Sequence, residues 1–442
     1  MSWRAADSMP DLLAKELTLP CGAVLPNRLA KAAMTEGLAD IHGRPTEDLE
    51  RLYGIWSDGG AGLLLTGNIQ VDADHLERPG NVILDREPDD RMAAALRSWV
   101  AAGTRAGNHM WAQISHAGRQ TPKAINPTPG APSSVKVGLP GGQFGDPVPL
   151  TESEIEAIID RFATAAVAVQ AAGFTGVQVH GAHGYLFSQF LSPRTNLRED
   201  HFGGSLENRA SPLLKTVARV REAVGPAFPV AVKLNSADFQ KGGFAFEDSL
   251  QVATWLEEAG VDLIEISGGN YEQPKLLGLQ GLEREESQQV AQSTLLREAY
   301  FVDFALAMQE HVSIPLMVTG GFRKRAGMEE AIAKGAADVI GLARPLCVDT
   351  DAPRQLLEGA GELVRYEELL SLLPGWLSFL KKIPAVRAAS GFSLQYWYYV
   401  QLMELARKGA PKRDLSVFAA ASRLVKHEKD WLGRRQAALG GE

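Results

Sequence analysis

Short apolar runs recur through the first 350 residues, each followed by a segment with helical spacing or by a loop and then such a segment. Eight runs stand out: Arg28–Met34, Ala61–Asn68, Met110–Ile114, Val177–Val179, Val230–Leu234, Leu263–Ser267, Leu316–Gly321 and Asp338–Arg344. Their near-continuous apolar composition is that of strands covered on both faces. Between them, Asp89–Ala106 carries Met92, Leu96 and Trp99 or Val100 on one helical side. Thr151-Glu152-Ser153-Glu154 is a capping box ahead of Ile155, Ile158, Ile159, Phe162, Ala166 and Val169, and Gly173 ends that helix. Further helices are predicted around Leu213–Val224, Asp248–Glu258, Leu295–Glu310 and Met328–Lys334. Strands that alternate with helices demand a parallel sheet, and eight units favour a closed one. The expected fold is therefore α/β, a (β/α)8 TIM barrel. Leu17-Thr18-Leu19 and Ala23-Val24-Leu25, on either side of Pro20-Cys21-Gly22, add an N-terminal hairpin cap.

The rhythm stops after Asp351, which divides the chain into a barrel over 1–350 and a helical C-terminal extension over 351–442. In the extension, Tyr366–Lys382 and Phe392–Lys408 read as helices rich in aromatics, including Trp376 and Tyr396-Trp397-Tyr398-Tyr399. Aromatic side chains dominate burial and interfaces, so the extension is expected to pack on the barrel or on a partner subunit, which admits a homo-oligomer. Gln120–Pro149 turns rich in Pro, Gly and Ser and is too long for a plain connection, so it reads as a lid or functional loop.

Composition narrows the function by exclusion. With 45% hydrophobic and 22% charged residues the 442-residue chain is an ordinary globular protein. A formal charge of -8 argues against nucleic acid and anionic membrane surfaces as partners, since both need a basic face. The first twenty residues carry Arg4, Asp7, Asp11, Lys15 and Glu16 with no apolar run, and the longest apolar stretch, Ala163–Phe174, is too short to span a bilayer. A cytoplasmic location is the expectation. Cys21 and Cys347 alone can form neither a disulfide framework nor an iron–sulfur site.

The polar residues that end the strands carry the chemistry, because a barrel of this kind keeps its active site at the C-terminal strand ends. These are Thr35, Asn68, Gln113, His180, His183, Lys233, Gly320, Gly321 and Arg344. His180, His183 and Tyr185 put two hydrogen-bond donors and a weak acid side by side, which suits any reaction that builds negative charge on an oxygen. Two other readings of the same trio are packed core side chains and a pair of metal ligands. Gly320-Gly321 exposes backbone N–H groups, and Arg344 one strand later offers a fork for phosphate oxygens. No G-x-G-x-x-G opens a βαβ unit, so a nicotinamide would have to use the same mouth as the substrate.

His180-Gly-Ala-His183-Gly-Tyr185-Leu186, Gln189-Phe190-Leu191-Ser192-Pro193 and Arg198 through Phe202-Gly203-Gly204-Ser205-Leu206-Glu207-Asn208-Arg209 resemble the old yellow enzyme family, FMN-dependent oxidoreductases on a (β/α)8 barrel. The resemblance runs from about Leu17 to Pro345, through Asn27-Arg28-Leu29, Met34-Thr35, Gln113, His116-Ala117-Gly118-Arg119 and Gly341-Leu342-Ala343-Arg344-Pro345. It implies that Ala33 and Thr35 lie against the flavin, with Thr35 near O4, that Asn68 sits near the ring and that Gln113 bonds the pyrimidine edge. Lys233 would stand by N1 and O2, while Gly320, Gly321, Ala343 and Arg344 hold the phosphate. His180 and His183 would bind the carbonyl or nitro oxygen of an electrophilic alkene. Hydride would pass from flavin N5 to the β-carbon as Tyr185 protonates the α-carbon, with NADH or NADPH reducing the flavin in a separate, ping-pong half-reaction.

Three departures from the family pattern are visible. Lysine replaces the usual arginine at Lys233, a point charge in place of a fork. Asn68 and Ala343 stand where smaller residues are usual, and the cysteine cluster of the iron–sulfur branch is absent. The alternatives to alkene reduction are a flavin-dependent dehydrogenase or demethylase working oxidatively, a non-catalytic FMN-binding protein, and a metal-dependent hydrolase built on His180 and His183; the reading adopted has no metal. His116 and Arg119 read as support for the third loop, and Tyr271 and Lys275 as an exposed loop.

Overall fold

In the computed structural model, which describes residues 11–139, 142–268, 294–371 and 384–440, the side chains of 294–301 and 384–392 excepted, the chain opens with a hairpin. Its strands, β1 (Leu17–Thr18) and β2 (Val24–Leu25), are antiparallel. There follow β3 (Leu29–Lys31), α1 (Glu47–Ser57), β4 (Leu63–Leu65), β5 (Ile69–Gln70), α2 (Asp90–Gly103) and β6 (His109–Ser115). Next come β7 (Gly130–Ala131), β8 (Val148–Pro149), α3 (Glu152–Ala172), β9 (Gly176–Gly181), α4 (Leu186–Leu191), α5 (Leu206–Val224), β10 (Val230–Asn235), α6 (Phe246–Glu258) and β11 (Leu263–Ser267). The cycle ends with α7 (Thr294–Gln309), β12 (Leu316–Thr319), α8 (Arg325–Ala333) and β13 (Val339–Leu342), and α9 (Ala352–Leu357), α10 (Tyr366–Leu369), α11 (Pro384–Lys408) and α12 (Val417–Leu439) complete the chain.

Among the described residues, eight of these strands close a parallel ring: β3 pairs β4, β4 pairs β6, and β6, β9, β10, β11, β12 and β13 follow in order until β13 returns to β3. Alternation along each strand divides the side chains between barrel interior and surrounding helices. The lower interior is apolar: Ala30, Leu63, Leu65, Trp111, Ala231, Leu263, Met317 and Val339 form one cluster with Leu17, Leu19 and Leu25 of the hairpin. The hairpin thus plugs the floor. Two residues further along four of these strands the same alternation delivers Gln113, Lys233, Glu265 and Thr319, so the interior turns polar toward the mouth.

Several elements differ from the sequence reading. Residues 120–149 are not a bare loop, since β7 and β8 pair within them. The segment after His183 contains the short helix α4, and α5 starts at Leu206, directly after the Ser205 cap, where no helical period was expected so early. Helix α1, whose buried face is Leu49, Leu52, Tyr53 and Trp56, was not anticipated, nor was α12. The helix expected over Tyr366–Lys382 reaches only Leu369 within the described residues; Trp376 and the rest of it lie outside them.

In the extension, α11 packs against α1 and against the turn that follows β13. Trp397 and Tyr398 are buried there, the indole donating to Leu415 O at 2.8 Å. Helix α12 lies over the loops after β3 and β5: Trp431 Nε1 donates to Ala39 O at 3.0 Å and Arg435 Nη1 to Ile41 O at 2.7 Å. His427 Nε2 lies 3.1 Å from Gly37 O, and Glu428 pairs with Arg78 at 2.7 Å, whose guanidinium stacks 3.9 Å above the Tyr399 ring. Truncating the buried indole, Trp431→Ala, is expected to cost about 3–5 kcal/mol in denaturant unfolding. Amide exchange should rise first at 37–41; uniform destabilisation with no excess there would show that α12 does not fasten this loop.

Candidate active site

The His180, His183 and Tyr185 rings meet at the end of β9. Ring centres lie 5.2 Å apart for the two histidines, 4.8 Å for His180 and Tyr185, and 6.5 Å for His183 and Tyr185. His183 adopts φ 62, a conformation that costs a non-glycine residue about 1–3 kcal/mol, and Gly184 follows at φ 77. The left-handed pair turns the chain so that Tyr185 comes back beside His180. Asn235 Oδ1 of β10 accepts the His183 N–H at 3.1 Å and holds the turn.

Hydrogen bonding fixes what these side chains offer. The Ala182 N–H donates to His180 Nδ1 at 3.2 Å, so the imidazole proton of a neutral His180 sits on Nε2 as a donor. His183 Nε2 shares a hydrogen bond of 2.5 Å with Ser267 Oγ. Removal from water, reinforced by the Lys233 ammonium, holds both histidines well below the usual imidazole range. Both are neutral at working pH, not cations, and His180 presents its Nε2–H as a donor.

Below them runs a line of buried polar groups. Gln113 Nε2 donates to Gln178 Oε1 at 2.7 Å, Gln178 Nε2 to Glu265 Oε2 at 2.8 Å, and Lys233 Nζ to Glu265 Oε1 at 2.9 Å. Gln113 and Lys233 belong to the sequence reading. Gln178 and Glu265 were missed, although both are polar residues inside runs that otherwise read as core.

On the β3 side, Thr35 Oγ1 and Asn68 Oδ1 are 3.0 Å apart. Polarity there follows from one backbone group: the Arg78 N–H can only donate, so Asn81 accepts it on Oδ1 at 2.9 Å and donates from Nδ2 to Asn68 Oδ1 at 3.1 Å. Asn68 Oδ1 is then an acceptor, and the Thr35 hydroxyl donates a hydrogen bond to it. Glu36 braces the same corner by accepting the Gly67 N–H at 3.0 Å and the Tyr53 hydroxyl. Behind it lies Lys31, a fully buried amine pushed down to about 8 by desolvation, whose Nζ donates to Leu65 O at 2.6 Å. Ala33 and Ala343 line the inner cluster nearby.

Opposite stand Gly320 and Gly321, at φ 124 and 79, conformations that favour glycine. A Cβ on Gly320 would meet nothing within 4 Å, so its backbone faces open space. Arg344, a third exposed, has Glu367 of α10 as its ionic partner at 3.7 Å, and the same carboxylate takes Arg323 Nη2 at 2.8 Å. Arg323, two residues beyond the Gly-Gly pair, is a second cation here that the sequence reading did not single out. Thr319 Oγ1 is buried without a partner.

Among the described residues, one cluster has metal-ligand composition: Asp72, His75 and His116. Its nitrogens argue for two imidazoles held in place by main-chain N–H groups around a carboxylate. His75 Nε2 accepts the Gly130 N–H at 2.7 Å and His116 Nδ1 the Gly118 N–H at 3.1 Å, which leaves a proton on each nitrogen facing Asp72. Those nitrogens lie 3.2 and 3.6 Å from the carboxylate, which also holds Arg161 at 2.6 Å. His116 O accepts Leu186 N–H at 3.0 Å, and Arg119 Nη1 donates to Lys136 O at 2.8 Å, so both residues brace this side of the mouth. Tyr271 and Lys275 lie outside the described residues.

A folded-state pKa below the unfolded value means that the unfolded chain binds more protons in the window between them, so stability falls as pH drops through the unfolded histidine pKa of ~6.5. Buried His116, pushed down to about 4 by desolvation, acts in the same sense as His180 and His183. The melting temperature should therefore fall from about pH 7 to about pH 5, and His180→Asn with His183→Asn should flatten that slope; an unchanged slope would place the linkage elsewhere.

The profile of the NADH:flavin oxidoreductase / NADH oxidase family matches residues 21–361. A NADH-dependent flavin oxidoreductase of Neonectria sp. (strain DH2) is 38% identical over 356 residues, 77% of this chain and 46% of the relative. One from Talaromyces variabilis is 34% identical over 420 residues, 91% of this chain and 100% of the relative. The chain thus spans just under half the length of the first and the whole of the second. An old yellow enzyme homologue from Zymomonas mobilis superposes with a TM-score of 0.64 at 24% identity, over 79% of this chain and 93% of that one, a likeness of fold.

Proposed function

The chain belongs to the NADH:flavin oxidoreductase / NADH oxidase family, the family of old yellow enzyme, and from that premise we propose that it takes hydride from NAD(P)H on FMN and reduces an activated C=C bond by a ping-pong mechanism. The observation that carries this reading is the convergence of two neutral imidazoles and a tyrosine on one point of the barrel mouth, with a buried lysine beneath them.

The side chains present suit FMN. Gly320 and Gly321, with Arg344 and Arg323 beside them, offer backbone N–H groups and two guanidinium groups to a phosphate. Thr319 Oγ1 has unfilled hydrogen-bonding capacity on the way to the polar layer. Gln113, Lys233, Asn68 and Thr35 present amide, ammonium and hydroxyl groups suited to a flavin's pyrimidine edge, and Ala33 and Ala343 leave room for a flat ring. When bound, FMN supplies the two-electron chemistry, accepting hydride from NAD(P)H and yielding it to the substrate.

The residues of the chain do the rest. His180 and His183 hydrogen-bond the carbonyl or nitro oxygen of an enone, enoate or nitroalkene, so the charge that develops there meets donors already in place. Because both rings are neutral, they polarise that oxygen without giving up a proton to it. Tyr185 donates the proton to the α-carbon, which completes the addition of one hydride and one proton across the double bond. The plugged floor excludes water from below.

Purified protein is expected to be yellow and to release FMN on denaturation; a colourless protein that takes up no FMN overturns the proposal. Tyr185→Phe should slow alkene reduction by about 10²–10⁴-fold while the rate of FMN reduction by NADH stays within a few-fold. Rapid-mixing absorbance of the two half-reactions separates these outcomes, and equal loss in both removes Tyr185 from the proton-donor role.

A further inference from the structure

Lys233 stands where the proposed function needs a cation, yet it is not a free one. Its side chain is 5% exposed, and its ammonium lies 2.9 Å from Glu265, whose side chain has no exposure at all. At that distance the carboxylate offsets much of the ammonium's field, so the surroundings meet a cation of reduced strength. The second oxygen of Glu265 accepts Gln178 Nε2, and Gln178 Oε1 accepts Gln113 Nε2.

A carboxylate can only accept, and this decides the direction of the whole line. Gln178 must turn its amide nitrogen toward Glu265, its oxygen therefore faces Gln113, and Gln113 must spend its nitrogen on that oxygen. What remains at the far end is Gln113 Oε1, which accepts no hydrogen bond among the described residues. A flavin's pyrimidine edge carries one N–H donor between two carbonyl oxygens, and an acceptor is what that donor requires.

Resting on the FMN reading above, we propose that Glu265 is a positioning residue for the cofactor: it neutralises Lys233, and through Gln178 it turns Gln113 so that a carbonyl oxygen is left for the flavin N–H. The two effects are separable. Neutralising Lys233 holds back the gain in stability that a bare cation would give the more negative, reduced cofactor. Fixing the amide direction strengthens binding of both oxidation states equally.

Glu265→Gln keeps the shape and removes the charge. Lys233 then stands as an unneutralised cation, and the new amide sets an N–H2 against that of Gln178, so the line turns over. In FMN-loaded protein, the ratio of affinities for reduced over oxidised FMN should rise at least about tenfold, an upward shift in midpoint potential of about 30 mV for a two-electron couple. Apoprotein should bind oxidised FMN about tenfold more weakly, the loss of one buried hydrogen bond. Both are read by dye-coupled redox titration and fluorescence quenching, without turnover. Lys233→Met with Glu265→Gln removes both charges and should return the affinity ratio to within about threefold of wild type, as coupled neighbours do. This double variant leaves neither charge of the pair unpartnered, so it carries the test even where the single variant does not fold. An E265Q potential that is unchanged or lower, or a double variant tenfold away from wild type, overturns the role of Glu265. Wild-type protein that takes up no FMN overturns the reading beneath it instead.

Discussion

A closed barrel has no edge and no inward route to water, so a polar side chain that points inside costs free energy unless it finds a partner inside, as Thr319 Oγ1 and Trp111 Nε1 do not. In this protein that constraint is met in layers. The hairpin leucines and the small and aromatic residues above them keep the lower half apolar, where close packing is sufficient. One step higher, Gln113, Gln178, Lys233 and Glu265 arrive together, and none could be buried alone without a cost of about 1–3 kcal/mol for an amide and more for an ion. They are tolerated because four adjacent strands deliver complementary groups at one level. The satisfied layer is the platform on which the mouth stands.

The mouth repeats the solution with different means. Its histidines are kept neutral by burial and by the lysine below, its turn is held in a costly conformation by Asn235, and its Thr35 hydroxyl is oriented by a relay that begins at the Arg78 backbone N–H. In the last two cases a main-chain N–H, which can only donate, determines the role of a side-chain amide that could have taken either. The chemistry of the site therefore originates one contact behind the residues that display it.

Much of this was legible in the sequence because strands covered on both faces leave continuous apolar runs, and the residues that end those runs line the barrel mouth. His180, His183 and Tyr185 drew notice by their spacing, which left packed core and metal ligation open until the strand order and the family resemblance were added. Gln178 and Glu265 were not, since their partners are 65, 87 and 32 residues away and only the register of the barrel brings them together. Helix α12 is a different kind of miss. Ser416 at its start and Val417, Ala420, Leu424 and Trp431 along one face were signals enough, but they follow the point where the strand–helix rhythm ends. Arg323 and Asn81 sit in loops, where neither period applies.

Helix α12 grips the loop after β3 almost wholly through main-chain oxygens, those of Gly37, Ala39 and Ile41, and reaches Ala73 O in the loop after β5. That part of the clasp accepts whatever side chains positions 37, 39 and 41 carry. The loop after β5 is held by identity as well, since Trp431 packs on Leu76 and Ile83 and Glu428 pairs with Arg78. One helix therefore imposes two different constraints, one on the path of the chain and one on the residues that follow it.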